Sequence, residues 1–193
     1  MMGWYTFLIV MHIIGTALGA GGATVSDLSF FRSVRDGKVD RSELDLLKTI
    51  STAIWAGFGI LVFSGFGFFL LYRIQSPELG LIYNPKLLAK LTIVLVVFFN
   101  GLLMHAKVFP LLESFVDRPL FNPDFSKRAP IAFTTGAISI ISWYSALILG
   151  AWRGLDWSYG AIMGSYLAVV AVGIIFANIV GRQLIKKFGT NQL

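Results

Sequence analysis

The chain contains 193 residues, of which 56% are hydrophobic and 13% are charged. Soluble domains carry roughly 25% charged residues, so this composition excludes a soluble globular enzyme. The chain has no cysteine, which excludes disulfides, thiolate metal sites and iron–sulfur clusters. The net charge of +6 comes from basic residues near the ends of apolar segments. Basic residues at such positions set the orientation of a chain in the membrane, so the charge does not indicate nucleic-acid binding.

Five apolar segments are long enough to cross a bilayer as helices, which requires about 20 residues each. They cover residues 4–31, 50–72, 88–110, 131–152 and 159–180. These segments are too long and too continuously apolar to be strands. The sequence therefore predicts one all-α transmembrane domain over residues 1–193, a bundle of five helices. The first segment lacks a basic leading region and a clear cleavage site, so we expect it to be retained.

Lysine and arginine are distributed unequally between the two sides of this predicted bundle. Arg73, Lys86, Lys90 and Arg153 lie on the side of the N-terminus, and the other 12 of the 16 basic residues lie on the opposite side. Cytoplasmic loops are enriched in basic residues. We therefore expect a multi-pass protein of the bacterial inner (plasma) membrane, with its N-terminus outside and its C-terminus in the cytoplasm.

Local patterns also predict how the helices begin and pack. Asp40 and Glu43 have the spacing of a capping box, which predicts a helix start before the second span. Small residues four positions apart let helix backbones approach closely in lipid. Three such pairs are Gly15–Gly19, Gly160–Gly164 and Ala177–Gly181.

Apart from Lys90 and Lys107, which lie near the ends of the third span, three ionisable residues lie within the predicted spans: His12, Asp27 and His105. Ionisable side chains in a membrane interior are energetically unfavourable, and they often mark functional sites. Ser139 and Ser142 add hydroxyl groups in the fourth span. The candidate site is therefore built from these residues.

His12 shares a helical face with Gly15 and Gly19, and His105 shares one with Gly101. Imidazole ligates haem iron, and a glycine one turn away leaves room for a flat porphyrin. This pattern predicts one b-type haem between the first and third spans, with the two histidines as metal ligands and the three glycines beside the cofactor. Alternatively, each histidine makes an interhelical hydrogen bond, worth about 0.6–2 kcal/mol.

The depths of the two histidines bear directly on this hypothesis. If Asp27 is level with Pro110, then His12 and His105 differ in depth by ~15 Å at about 1.5 Å per residue. If the third span continues to Glu113, the difference falls to ~10 Å. A shared haem then requires helix tilt or a break at Gly21–Gly22.

The same arithmetic favours a second pairing, in which Asp27 and His105 are level near the cytoplasmic face. Together with Ser139 and Ser142 they are candidates for a proton or ion relay, as in a small proton-coupled permease. The inverted repeat common in transporters is not visible. A third alternative is a non-catalytic membrane subunit whose glycines serve packing alone.

Three stretches of the sequence resemble known membrane proteins: residues 12–27 (HIIGTALGAGGATVSD), residues 100–105 (NGLLMH) and residues 142–145 (SWYS). They resemble a family of small, uncharacterised bacterial polytopic membrane proteins. More distantly, the two histidine helices are similar to copper-resistance D-type proteins and small membrane b-type cytochromes. The latter resemblance implies haem and electron transfer. Those cytochromes usually have two or more histidine pairs, whereas this chain has one.

The leading hypothesis is therefore an electron-transfer protein with one bis-histidine haem b, which exchanges electrons with a quinone or a redox partner protein. The bilayer is its other partner, a homo-oligomer is compatible with the sequence, and nucleic acid is not expected. No nucleophile–base–acid set is apparent, so whether the chain is an enzyme stays open.

Overall fold

The computed structural model describes residues 2–75, 84–120 and 123–189, and within these ranges the chain is almost entirely helical. Two π-helical turns, π1 and π2, interrupt the α-helices. The elements are α1 (Met2–Thr16), π1 (Ala17–Gly21), α2 (Gly22–Asp36), α3 (Arg41–Gln75), α4 (Pro85–Leu103), π2 (Met104–Val108), α5 (Phe109–Glu113), α6 (Pro123–Ala151) and α7 (Tyr159–Gly189). Part of the predicted connection between the second and third spans, residues 76–83, lies outside the described residues.

Five helical segments of the described chain are long and apolar enough to cross a membrane. We refer to them as spans one to five: Gly3–Asp36, Arg41–Ile74, Pro85–Glu113, Pro123–Ala151 and Tyr159–Lys187. The predicted all-α architecture with five spans is confirmed, and it indicates a multi-pass membrane protein. The direction in which the bundle is inserted stays a prediction.

Several helix ends differ from those predicted by hydropathy. Span two begins at Arg41 rather than near residue 50, because one of the two bonds of the predicted capping box forms there: the Asp40 amide donates to Glu43 Oε2 at 3.3 Å. Span three continues through Pro110 to Glu113. Proline is tolerated because it stands in the first turn of α5, directly after π2. Hydropathy marks the apolar part of a helix, whereas capping determines where the helix ends.

Spans one and two pack as a close antiparallel pair through glycine. A β-carbon at Gly57 would lie 2.8 Å from the Gly19 nitrogen and 2.9 Å from the Gly15 oxygen. The predicted close approach at Gly15–Gly19 is therefore confirmed, and Gly57 is its partner on the neighbouring span.

The other small-residue pairs differ from one another. A β-carbon at Gly181 would lie 2.5–2.8 Å from ring atoms of Phe133, so span five packs tightly on span four there. The prediction was wrong for Gly160 and Gly164, because a β-carbon at either position would meet none of the described atoms within 4 Å.

The connections between spans one and two and between spans three and four interlock at the end of the bundle that carries the C-terminus. The Asp117 amide donates to the Val39 oxygen, and the Leu120 amide donates to the Gly37 oxygen, each at 3.0 Å. Beneath these bonds lies the largest apolar core of the described chain. Its fully buried members include Val34, Val39, Leu44, Leu112, Leu120 and Phe125. This end of the bundle is therefore closed by packed apolar side chains.

We expect Gly57→Ala to destabilise the protein by about 1–3 kcal/mol, because its methyl group meets backbone atoms that cannot move aside. Gly59→Ala, two residues further along the same helix, is the matched control, since a β-carbon there contacts none of the described atoms. Thermal unfolding in detergent measures both variants. Equal melting temperatures for the two would contradict the close packing of spans one and two.

Candidate functional site

A cavity of ≈ 50 Å³ lies inside the bundle between spans one, two, three and four. Most of its wall is apolar. The polar groups in its wall come from all four spans: Ser26, Asp27, Ser51, Asn100 and Ser139. Asp27 is the one ionisable residue in the described lining. The cavity therefore combines one acidic group with neutral oxygen-bearing side chains.

Asp27 lies on α2, and its side chain has no hydrogen bond or ion pair with any residue of the described chain. The carboxyl group points towards span four, where a β-carbon at Gly136 would lie 3.2 Å from Asp27 Oδ1. The glycine thus leaves the space that the carboxyl group occupies. A second, smaller cavity of ≈ 30 Å³ on the side of the C-terminal core is also lined by Asp27. Asp27 therefore stands between two internal spaces.

Asn100 of α4 has a buried side-chain amide in which, among the described residues, the nitrogen is hydrogen-bonded and the oxygen is not. Its side chain is 7% exposed, and Nδ2 donates to the Thr135 oxygen of span four at 3.0 Å. Oδ1 is buried and has no donor among the described residues. Buried polar atoms are nearly always paired with protein, water or an ion. Since Asn100 lines the cavity, its Oδ1 is, within the described chain, an unpaired hydrogen-bond acceptor in the cavity wall.

Ser51 connects the cavity to His105. It is buried, lines the cavity, and its Oγ lies 3.0 Å from His105 Nε2 in a hydrogen bond. His105 belongs to π2 and is exposed at the surface of the bundle, with its ring 5.0 Å from that of Phe109. Ser51 thus lines the same cavity as Asp27 and is bonded to His105. The pairing of Asp27 and His105 at one depth stays a prediction.

His12 lies in a separate environment near the other end of the bundle. Its Nδ1 is 2.8 Å from Ser64 Oγ, and Ser64 is fully buried. Ser64 also donates to the Ile60 oxygen at 2.8 Å, so the imidazole N–H donates to Ser64 in that arrangement. This is the interhelical hydrogen bond that was the alternative to iron ligation.

The two histidines are too far apart to ligate one iron. Their serine partners, Ser64 and Ser51, are 13 residues apart on α3, which corresponds to about 20 Å along the helix. This is larger than the ~10–15 Å that follows when Asp27 is placed level with Pro110 or Glu113. The break at Gly21–Gly22, one of the two ways in which a shared haem could be accommodated, is absent, since π1 continues directly into α2.

The glycines predicted to border a haem face other side chains. Gly15 meets Leu61, Gly19 lies against the Trp143 ring, and a β-carbon at Gly101 would lie 3.0 Å from the Trp55 ring. A porphyrin shared by His12 and His105 therefore fits neither the ligand spacing nor the space beside these glycines. Haem binding itself stays a prediction.

The two serines of span four have different positions. Ser139 lines the cavity, as expected for a relay candidate. Ser142 is fully buried and faces span five, where its Oγ lies 2.8 Å from the Tyr166 hydroxyl. Ser51 was missed in the sequence because a serine in a helix usually bonds its own backbone, and nothing local distinguishes one that does not.

Aromatic side chains line the cavity towards the end of the bundle that carries the N-terminus. We call them the aromatic layer: Trp55, Phe58, Phe98 and Trp143. Successive rings are in contact, with centroids 5.7 Å apart for Trp55–Phe98, 6.0 Å for Phe58–Phe98 and 6.4 Å for Phe58–Trp143. The cavity therefore lies between this layer and the C-terminal apolar core.

Absorption spectra of the purified protein, oxidised and then reduced with dithionite, test the separation of the histidines. After expression with ample haem, we expect no bis-histidine haem spectrum, because the serine partners of the two imidazoles are about 20 Å apart along α3. His12→Ala and His105→Ala are the accompanying variants. A sharp reduced α band that disappears in both would contradict this geometry and support the haem hypothesis.

Comparison with protein-family models, with curated proteins and with solved structures finds no match to this chain. A function for this chain must therefore be inferred from its own residues. Within the described chain, the features that bear on function are the unpartnered Asp27, the Asn100 amide whose oxygen has no donor, and the hydrogen bond between Ser51 and His105.

Proposed function

We propose that this protein is a small proton-coupled permease in which Asp27 binds the transported proton. The observation that supports this proposal is the position of Asp27: an unpartnered carboxyl group in a cavity within the membrane-spanning part of the bundle. Such a group is unfavourable in a membrane unless it serves transport or catalysis. By contrast, His12 has a protein partner that accounts for its polarity.

Ser51 and His105 provide a route for the proton between Asp27 and the surface of the bundle. A cavity of ≈ 50 Å³ has room for about three to five waters, given roughly 10–15 Å³ for each. A water bound there could bridge Asp27 to the Ser51 hydroxyl, which both donates and accepts hydrogen bonds. Ser51 is bonded to His105. The proposed proton path therefore runs from the carboxyl group through bound water and the Ser51 hydroxyl to the imidazole.

Apolar packing on both sides of the cavity along the bundle favours transport rather than an open channel. The aromatic residues of the lining lie on one side of the cavity, and the C-terminal apolar core lies on the other. Transporters expose a central site to one side at a time, which requires apolar barriers on both sides of the site. We place the C-terminal side in the cytoplasm of a bacterial inner membrane, on the basis of its 12 lysines and arginines.

Electron transfer through haem b to a quinone or a redox partner has less support. It needs His12 and His105 on one iron, and their serine partners are 13 residues apart on α3. A purely structural subunit has less support as well, since packing alone gives no reason for an unpaired carboxyl group beside a cavity.

Asp27→Asn is expected to reduce proton movement to the rate of protein-free vesicles, because the amide cannot take up and release the proton. The assay imposes a pH gradient across proteoliposomes that have equal NaCl and KCl on both sides. Valinomycin holds the potential at zero, and a trapped pH dye reports the gradient. Asp36→Asn is the matched control, since Asp36 ends the same helix and faces Arg32 at the surface. Wild-type protein that dissipates the gradient no faster than empty vesicles would refute the proposal.

Ser51→Ala is expected to slow the same proton movement by about tenfold or more, since a positioned proton-transfer group contributes about 10²–10⁴ in rate. Ser64→Ala removes the same hydroxyl from the same helix, outside the described cavity lining, and should leave the rate unchanged. If both variants lose activity equally, the effect is on stability and the relay is refuted.

A further inference from the structure

The amide of Asn100 identifies what the cavity binds besides a proton. Its Oδ1 is nine-tenths buried together with the rest of the side chain and has no donor within the described chain. The other end of the amide is fixed by the bond to the Thr135 oxygen, so the carbonyl cannot turn away to find a partner. A buried acceptor held without a donor requires a bound water or ion.

The chemistry of the cavity wall favours a cation. Apart from the indole N–H groups of two tryptophans, every polar side chain in the described lining offers oxygen: one carboxylate, one amide carbonyl and three hydroxyls. The described lining contains no lysine, arginine or histidine. Carboxylate, carbonyl and hydroxyl oxygens are the ligands of hard cations rather than of anions or soft metals.

The size and charge of the cavity narrow the class of cation. A volume of ≈ 50 Å³ admits a small ion with a few waters and is too small for an organic substrate. A single carboxylate neutralises a single positive charge. A divalent ion would leave an uncompensated charge within the membrane, which is strongly unfavourable.

We propose that Asp27 and Asn100 bind Na⁺ in this cavity and that the protein exchanges Na⁺ for H⁺ at the Asp27 carboxylate. This inference rests on the proposed permease function and names its substrate class. In the exchange, one proton binds the carboxylate as one Na⁺ leaves it, so the charge of the cavity stays constant. The Asn100 oxygen contacts the ion and takes no part in proton transfer.

The neighbours of Asp27 introduce no second charge at the site. Ser51 faces the cavity from span two, Asn100 from span three, and Ser139 from span four, while Gly136 adjoins the carboxyl group itself. None of these is titratable. His105 is the titratable group adjoining the described lining, and it is reached through Ser51. Competition between Na⁺ and H⁺ is thus expected at one carboxylate.

Equilibrium binding of radioactive Na⁺ to the detergent-purified protein tests the site independently of transport. We expect saturable binding that Asp27→Asn abolishes. Asn100→Leu should weaken binding by about tenfold or more, because the ion loses its contact with one protein oxygen. Asn178→Leu is the matched control, because the Asn178 amide bonds Thr134 and Ile174 outside the described cavity lining. If Asn100→Leu fails to fold, Asn100→Gln, which keeps the amide but displaces its oxygen, is expected to weaken binding as well.

Proteoliposomes then connect the site to transport. With the potential held at zero, adding NaCl outside acid-loaded vesicles should alkalise their lumen, whereas N-methylglucamine chloride should not. Proton movement that depends on Asp27 but is the same with either salt would overturn Na⁺ exchange and leave the permease proposal standing. Saturable Na⁺ binding without any proton movement would overturn both the exchange and the permease. Absence of saturable Na⁺ binding, or binding unchanged in Asp27→Asn, would overturn the site.

Discussion

The close antiparallel packing of spans one and two is the constraint on which the interior depends. Gly57 on one helix and Gly15 and Gly19 on the other bring two backbones into contact. Helices so close cannot slide past each other without a clash, so their register is fixed. That register sets Ser64 opposite His12 and brings Ser51 to the depth of Asp27. The polar interior is thus a consequence of apolar and glycine packing.

The interior polar groups separate into two classes according to whether the protein satisfies them. His12, Ser64, Ser142 and Tyr166 are joined in hydrogen-bonded pairs, and such pairs stabilise helix association in lipid by about 0.6–2 kcal/mol. Asp27 and the Asn100 oxygen have no partner in the described chain. In water this would mean little, because solvent would pair with them. In a membrane this difference distinguishes polar groups that stabilise the fold from polar groups that are available to bind a ligand.

The sequence predicts the number and type of spans well, because about 20 apolar residues leave few alternatives in a bilayer. It also selects Asp27 and His105, and the structure shows that Ser51 lines the same cavity as Asp27 and is bonded to His105. The difference in depth between His12 and His105 is predicted poorly, because that prediction places the ends of spans one and three at the same depth. Those ends are set by capping at Asp40 and by the continuation through Pro110, whereas relative depth is set by side-chain fit between helices. For the same reason Ser51 gave no local signal: its importance arises from a neighbour 54 residues away.

The two π-helical turns have a mechanical consequence for the site between them. π1 precedes Asp27 on span one, and π2 contains His105 on span three. A π turn holds one more residue than an α turn, and one residue corresponds to about 100° of rotation and 1.5 Å of rise. If such a turn migrates along its helix, the segment it crosses rotates and presents different side chains to the interior, while the helix stays intact. Spans one and three can therefore change the faces they present to the cavity without moving as rigid rods.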